Sequence, residues 1–502
     1  MFRLVDLLEG LEYKVVAGNI NREVNGLCYS THDMLVNSVF VCIKGFHSDS
    51  HDMAQQAVYG GATVIVAERD VTVTGNVTVI LVSDSREALS IISSNYFGNP
   101  AKDMIMIGVT GTKGKTTTVY MIADILEAAG ISTGIIGSIE IRYNKKSVKN
   151  ENTTPESYII QQTLSRMKRT GVKAVVMEVS SQGLKLKRVH GITFDYGIFT
   201  NISRDHIGEK EHADMEEYIS FKAQLFKNCR CGIYNIDDER HCDIIDGNRC
   251  ERLIHYGIDD AGEIKLLYVD GIPGVSFTVN DMNITLRLPG HYSVYNALAA
   301  IKVCSEILCE DELSTRMCLM AEVLYNFRVK GRTEVKKLGC GAYAVVDYAH
   351  NALALESLLE SMREYVHGRL ICLFGCGGNR SRLRRLEMGE ISAHLADFTV
   401  ITSDNPRYEK PYSIMEDIET GVLRVLKKDD RVKDGLWNYD DGKYAMIEDR
   451  KDAVEIALSK LAENDMIVIA GKGHENYQEI RGRRYYLDDR DLIDMYEFNR
   501  KQ

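Results

Sequence analysis

Residues 106–130 read "MIGVTGTKGKTTTVYMIADILEAAG", and the turn within them, Gly111-Thr112-Lys113-Gly114-Lys115-Thr116-Thr117, holds residue types that grip phosphate. Gly111 and Gly114 let backbone N–H groups converge on phosphate oxygens, and a helix opening near Lys115 turns its positive N-terminal end toward them. Lys115 is spaced to reach terminal phosphates, and the Thr116 hydroxyl to hold Mg²⁺. The strict pattern G-x-x-x-x-G-K-[ST] is not met, because position 109 is valine and Gly108 stands one place early. Gly-Lys-Thr-Thr between an apolar run and an amphipathic stretch still reads as a nucleotide-binding turn.

Further groups capable of chemistry follow other apolar runs. "MEVSSQG" offers Glu178 and Ser180, "NISRDHIG" offers His206, and "MEEYISFKAQLF" places Lys222 on an amphipathic helix. Taken singly, an exposed Glu or a loop His is solvated surface, and a lysine on an apolar face snorkels to water. "GHYSVYNALAA" presents Asn296 at a helix start, where a capping role is the plain reading, and "GRTEV" with "VVDYAHN" supplies Arg332, Asp347 and His350. "GCGGNRSRLRR", "SDNPRYEKP" and "GKGHENYQ" bring together Arg380, Asp404, Asn405, Pro406, Arg407, Gly471 and Glu475. Arginines for carboxylates and an acid for an amine are what a zwitterionic ligand needs.

These groups need strand ends to position them. "MIMIGVTGTKGK", "KAVVMEVSSQG", "FDYGIFTNISRDH", "AYAVVDYAHN", "LICLFGCGGNR", "FTVITSDNPR" and "DMIVIAGKGHE" are uninterrupted apolar runs ending in polar or Gly-rich clusters. Such runs are strands of a parallel sheet covered on both faces, so the fold class is α/β, with ligands gathered beyond the strands' carboxyl ends. Ile105–Val109 is the strand before the phosphate turn. Val119, Ile122, Ile125, Leu126 and Ala129 share one face of the helix after it, and Gly130 closes that helix. In the first hundred residues, "SVFVCIKG" and "GATVIVAE" read as strands and "HDMAQQAVYGG" as a helix closed by Gly60 and Gly61.

At 502 residues the chain is too long for one ordinary core. Three domains are expected: 1–100, a small α/β domain; 101–330, a central P-loop-type mostly parallel sheet; and 331–502, a Rossmann-like α/β domain. The formal net charge of −11 argues against a protein that coats nucleic acid. No segment approaches a membrane span and the first residues lack a signal-peptide core, so a cytoplasmic location is expected. The twelve cysteines are scattered and read as buried, reduced thiols; Cys229/Cys231 and Cys372/Cys376 lack a second ligand pair at zinc-site spacing.

"GVTGTKGKTTT" resembles the ATP loop of the Mur ligases, and the later blocks follow that family's order over essentially the whole chain. The resemblance implies a monomeric, ATP-dependent ligase of peptidoglycan biosynthesis that joins meso-diaminopimelate, a diamino acid, to UDP-N-acetylmuramoyl-L-Ala-D-Glu (UDP-MurNAc-dipeptide) through an acyl phosphate. By it, Thr116, Glu178 and His206 surround Mg²⁺, and Lys222 is carbamylated by CO₂ to support a second ion. Ser30, Thr153, Thr154, Ser180 and Arg188 match positions that hold the UDP-sugar, and Asn296, Arg332, Asp347 and His350 those that meet the nucleoside and phosphates of ATP. Arg380, Asp404, Asn405, Pro406, Arg407, Gly471 and Glu475 match the amino-acid site, Arg407 being the mark of diaminopimelate selection. The resemblance also implies that the last domain closes over the central one.

Several positions depart from the family's pattern. Tyr29, Ser30 and Thr31 stand where Asp-Ser-Arg is usual, Gln182 replaces a common His, Leu186 replaces a polar contact, and Asn379 and Ser381 replace acidic residues. A paralogue that adds lysine or another amino acid remains open, as does a nucleotide-binding protein without catalysis. Folylpolyglutamate synthase shares the phosphate loop but lacks the N-terminal domain and the Asp-Asn-Pro-Arg block.

Overall fold

The computed structural model describes residues 1–45, 48–150, 152–205, 207–208, 211–309, 312–432 and 438–500. The chain divides into two compact units, Met1–Gly257 with Ala299–Cys309, and Ile258–Leu298 with Glu310–Gln502. Both are α/β, as the apolar runs require.

In the first unit, an eight-stranded sheet runs in the order Lys146–Lys149, Glu140–Tyr143, Thr133–Ile136, Ala174–Glu178, Ile105–Thr110, Phe194–Phe199, Cys229–Asn235, Arg252–Tyr256. From Thr133–Ile136 onward every pairing is parallel; the Glu140–Lys149 hairpin is the antiparallel edge. The parallel strands are the buried apolar runs, with Met106, Ile107, Val109, Val175, Val176 and Met177 fully enclosed. Strand order reverses around Ile105–Thr110, whose neighbours are Ala174–Glu178 on one side and Phe194–Phe199 on the other. A crevice beyond the carboxyl ends forms at such a switch point, and the phosphate turn, Glu178 and Thr200–Asn201 all emerge there.

The helix Lys115–Ala128 is buried more completely than a one-faced pattern implies: Met121 and Ala123 are enclosed along with Val119, Ile122, Ile125 and Leu126, while Ala129 is half-buried. The same unit holds a five-stranded sheet in the order Lys14–Ala17, Thr78–Leu81, Ala62–Ala67, Ser38–Val41, Gly26–Cys28, parallel except at Lys14–Ala17. The stretch read as one helix at 51–61 is a 3₁₀ turn, Ser50–Met53, followed by a short α-helix, Ala54–Tyr59. Asp49 accepts a hydrogen bond from the backbone of His51, which tightens the first turn.

The second unit carries a six-stranded sheet, Glu334–Lys337, Tyr343–Asp347, Met466–Ala470, Leu370–Phe374, Phe398–Thr402, Tyr444–Ile447, parallel except at its first strand. Apolar clusters cover both faces, one around Leu359, Phe374 and Ile418 and the other around Val400, Val454 and Ile469. A three-stranded antiparallel sheet, Lys265–Val269, Ile272–Val279 and Met282–Leu286, completes it. Among the described residues, no helix is long and apolar enough to cross a membrane.

The cysteines are free. Seven are buried as expected, but Cys242, Cys309 and Cys318 are exposed and Cys250 and Cys340 half-exposed, because they lie on loops or outward helix faces rather than in apolar runs.

Candidate active site

Gly111 opens the phosphate turn with φ +148°, and a Cβ there would lie 1.9 Å from Thr200 Oγ1, so only glycine fits. Gly114 sits at the helix N-cap in the left-handed region, φ +82°, and having no side chain it supplies no cap of its own, the arrangement that suits an anion at a helix N-terminus. The turn is tied down from the next strand end: Thr112 N donates to Asn201 O at 2.8 Å, Lys113 N to Asn201 Oδ1 at 3.0 Å, and Thr200 Oγ1 and Asn201 Nδ2 donate to Lys113 O at 2.6 and 3.1 Å. Lys115 Nζ folds onto the carbonyls of Gly111 and Thr112, 2.7 and 2.9 Å away. Thr117 is half-buried in the first helical turn.

Glu178, 1% exposed, ends the neighbouring strand. Its carboxylate accepts from Thr116 Oγ1 at 3.1 Å on both oxygens, from Ser138 N at 2.7 Å and from Ser138 Oγ at 3.1 Å. Ser138 Oγ also meets Thr153 Oγ1 at 2.9 Å. Thr154 Oγ1 donates to Glu178 O at 2.8 Å and pairs with Ser180 Oγ at 3.1 Å, while Ser180 caps the helix Ser181–Lys185 through Gly183 N. Arg188 donates to Thr154 O at 2.9 Å and forms an ion pair with Glu156 at 2.7 Å. Thr153, Thr154, Ser180 and Arg188 thus belong to one hydrogen-bonded network that runs through Ser138 and Glu178, with Thr154 completely buried. Ser30 makes a local bond, accepting from His32 N at 3.3 Å, while the ring of adjacent Tyr29 packs on Tyr158 at 5.6 Å, just past the Thr153–Glu156 stretch.

Lys222 does not snorkel. It is 1% exposed on the helix Met215–Lys227, and its Nζ donates to Gly111 O at 2.7 Å, the carbonyl that Lys115 also uses. Burial, together with the positive charge of Lys115, pulls its pKa well below the ordinary 10.5; Asp205 offsets this only in part. Burial at this position therefore favours the neutral amine over the ammonium. His206 lies outside the described residues.

The second unit gathers the other candidates in two groups. Asp347 ends its strand and accepts from Thr333 N and Ala349 N, both at 2.7 Å, and from Thr333 Oγ1 at 3.1 Å; burial raises its pKa. Arg332 stacks over the Tyr348 ring at 4.5 Å, and His350 Nδ1 donates to Tyr348 O at 2.8 Å. Asn296 is not at a helix start: the helix His291–Ile307 begins five residues before it, so Asn296 lies in the second turn, 5% exposed.

The other group surrounds Lys472, which is completely buried. Its Nζ lies 3.3 Å from Asp404 Oδ1, 3.4 Å from Asn405 Oδ1 and 3.7 Å from Glu475 Oε2. Asn405 Nδ2 donates to Glu475 Oε2 at 2.8 Å, and burial, reinforced by Asp404, raises the Glu475 pKa. A Cβ on Gly471 would touch Asp404 Oδ2 at 3.5 Å, which sets that glycine against the same carboxylate. Pro406 is buried, and Arg407 follows with φ +52°, a region uncommon for arginine. Bonds from Arg407 N to Glu479 O at 2.9 Å and from Arg481 N to Arg407 O at 2.6 Å hold it there, and its guanidinium donates to Gly378 O at 2.7 Å. An added Cβ at Gly377 would lie 3.1 Å from Arg407 Nη1 and 3.8 Å from Arg380 Cγ, so both arginines border that glycine.

Ser138, Asn201 and Lys472 take part in these clusters and are absent from the sequence reading. Asn201 and Lys472 sat inside quoted blocks next to better-known residue types. Ser138, in "IGSIE", offered no pattern to find it by.

A model of the Mur ligase middle domain matches residues 109–304, and one of the Mur ligase glutamate ligase domain matches residues 331–473. The UDP-N-acetylmuramoyl-L-alanyl-D-glutamate–2,6-diaminopimelate ligase of Caldanaerobacter subterraneus subsp. tengcongensis is 38% identical over 98% of each chain. The ligase of the same name from Clostridium perfringens is 37% identical over 98% of each. Among solved structures, a UDP-N-acetylmuramoyl-L-alanyl-D-glutamate–2,6-diaminopimelate ligase superposes with a TM-score of 0.67 at 24% identity, covering 100% of this chain and 99% of the other. With a phosphate turn at a switch point and near-complete alignment at this identity, the chain belongs to the Mur ligase family.

Proposed function

We propose that this protein is an ATP-dependent amide ligase that adds meso-diaminopimelate to UDP-N-acetylmuramoyl-L-Ala-D-Glu in peptidoglycan synthesis. The observation that carries the reading is the contact of Thr116 and Glu178 at the mouth of a glycine-built phosphate turn, with the Lys222 amine buried against the same turn. The names of relatives at 37–38% identity support the substrate pair.

The phosphates of ATP would lie on the turn amides and Lys115. Asn296, Arg332, Asp347 and His350 are proposed as further ATP-binding residues. The D-Glu carboxylate oxygen attacks the γ-phosphorus, the bond to the β-phosphate oxygen breaks, and ADP leaves. The acceptor amine then attacks the acyl carbon, forming C–N as the C–O bond to phosphate breaks, and loses a proton. Positioning and charge neutralisation supply most of the rate.

Thr116 Oγ1 and the Glu178 carboxylate are hard oxygen donors and fit Mg²⁺, which binds through one or two carboxylates together with substrate phosphates. Lys222 fits carbamylation, being buried and biased to its neutral form, and as a carbamate it would add a third oxygen ligand set; His206 is proposed as a further Mg²⁺ ligand. When bound, Mg²⁺ neutralises charge on the transferring phosphoryl group. Ser30, Thr153, Thr154, Ser180 and Arg188 would hold the UDP-sugar. Asp404 and Glu475 give the acceptor's ammonium a partner, and Arg380 and Arg407 its carboxylates.

We further propose a cytoplasmic monomer with domain limits at 1–100, 101–330 and 331–502. Limited proteolysis tests these limits, since cleavage near residue 258 rather than 330 would assign the intervening stretch to the last domain. The function is tested by ADP release with UDP-N-acetylmuramoyl-L-Ala-D-Glu and a panel of meso-diaminopimelate, lysine and ornithine. Turnover with meso-diaminopimelate is expected. Turnover with lysine alone would transfer the reading to a lysine-adding paralogue, and ATP hydrolysis indifferent to every acceptor would remove it.

A further inference from the structure

The sheet of the first unit brings two thiols together at its edge. Cys229 opens the strand Cys229–Asn235, and Cys250 lies just ahead of the parallel strand Arg252–Tyr256. Their pairing sets Cys231 opposite Arg252, and Glu251 N donates to Arg230 O at 2.7 Å, so continuing that register back by two residues places Cys229 opposite Cys250. The two Sγ atoms are 3.4 Å apart. Directly opposed positions on neighbouring strands fall within the Cα separation that a disulfide spans.

Access to the two sulfurs differs. Cys229 is 4% exposed, whereas Cys250 is half-exposed and its backbone is fixed by a bond to Asn248 Oδ1 at 3.0 Å. Cys250 Sγ–H donates to Phe226 O at 3.2 Å, in the last turn of the helix that carries Lys222. The two thiols share a hydrogen bond, and Cys250 is the sulfur a small oxidant can reach, which marks it as the attacking one and the buried Cys229 as the resolving one.

We propose that Cys229 and Cys250 are a reversible modification site, oxidised to a disulfide by hydrogen peroxide. The Cys250 thiolate attacks one peroxide oxygen; the S–O bond forms, the O–O bond breaks, and the released hydroxide takes a proton to become water. Cys229 then attacks the sulfenic sulfur; the S–S bond forms, the S–O bond breaks, and the Cys229 proton leaves in a second water. Both thiols are oxidised and one peroxide is reduced to two waters. The crosslink removes the Cys250 donor from Phe226 O and ties the two strand starts covalently. In a reducing compartment this bond is transient rather than structural.

The test uses the full chain with Cys242, Cys309 and Cys318 changed to serine, which leaves the pair intact and removes the exposed competitors. The protein is exposed to hydrogen peroxide, alkylated, digested and analysed by mass spectrometry, with the unsubstituted chain in parallel. The expected product in both is a peptide pair joined through Cys229 and Cys250, lighter by two hydrogens and separated by dithiothreitol. Cys250→Ser should abolish it. Recovery of both cysteines in alkylated form, or of Cys250 as sulfinic acid beside alkylated Cys229, would overturn the proposal.

Discussion

Lys222 and Lys472 are equally buried and chemically opposite. Lys222 faces a carbonyl and the ammonium of Lys115, so burial drives it toward the neutral amine. Lys472 lies between Asp404, Asn405 and Glu475 and serves as the counter-charge of two acids. A buried lysine without a carboxylate in contact becomes a reactive group, and one between carboxylates becomes a fixed positive charge. The two regions divide accordingly: the phosphate turn is built from backbone and glycine, and the Lys472 region from side-chain ions.

Removing each lysine tests this contrast most strongly. Lys472→Met leaves Asp404 and Glu475 buried without their cation and should cost about 3–5 kcal/mol, read from the denaturant midpoint. An unchanged midpoint would erase the contrast. Lys222→Met should leave the fold intact and lower kcat by about 10²- to 10³-fold in the ADP-release assay, the size expected when one electrostatic group of an active site is lost. It should also change the pH dependence of stability. Because the folded pKa lies below the unfolded value of 10.5, the unfolded chain binds more protons between the two, and stability rises with pH across that window. The methionine variant should show a flatter profile there.

Smaller changes sharpen the picture. Arg407→Ala should raise the acceptor's KM by about 10- to 100-fold through loss of a charged hydrogen-bonding group, with the KM of ATP unchanged. Equal effects on both would withdraw Arg407 from acceptor recognition. Gly111→Ala forces a Cβ against Thr200 Oγ1 at positive φ and should cost about 1–3 kcal/mol, with weaker nucleotide binding by calorimetry.

Much of the sheet framework was legible because parallel strands must be apolar on both faces, and runs such as "KAVVME" and "DMIVIA" have few alternatives. The phosphate turn was legible because glycine and Lys-Thr occur there for steric and charge reasons that act locally. Lys222 was ambiguous: an amphipathic pattern says which face a lysine occupies, not whether its amine finds water or a carbonyl from residue 111. Asn296 was misplaced because Gly290 starts the turn that a cap would otherwise mark, and the helix begins directly after it. Ser138 and Lys472 each depend on a partner distant in sequence, Glu178 for one and Asp404 for the other.

Ser138 and Thr116 hold the same carboxylate by unlike grips. The Ser138 amide points where the backbone directs it, whereas the Thr116 hydroxyl swivels about its own C–O bond. A cation taking the threonine oxygen would need only that hydrogen to swing aside, while the amide stops the acid from following.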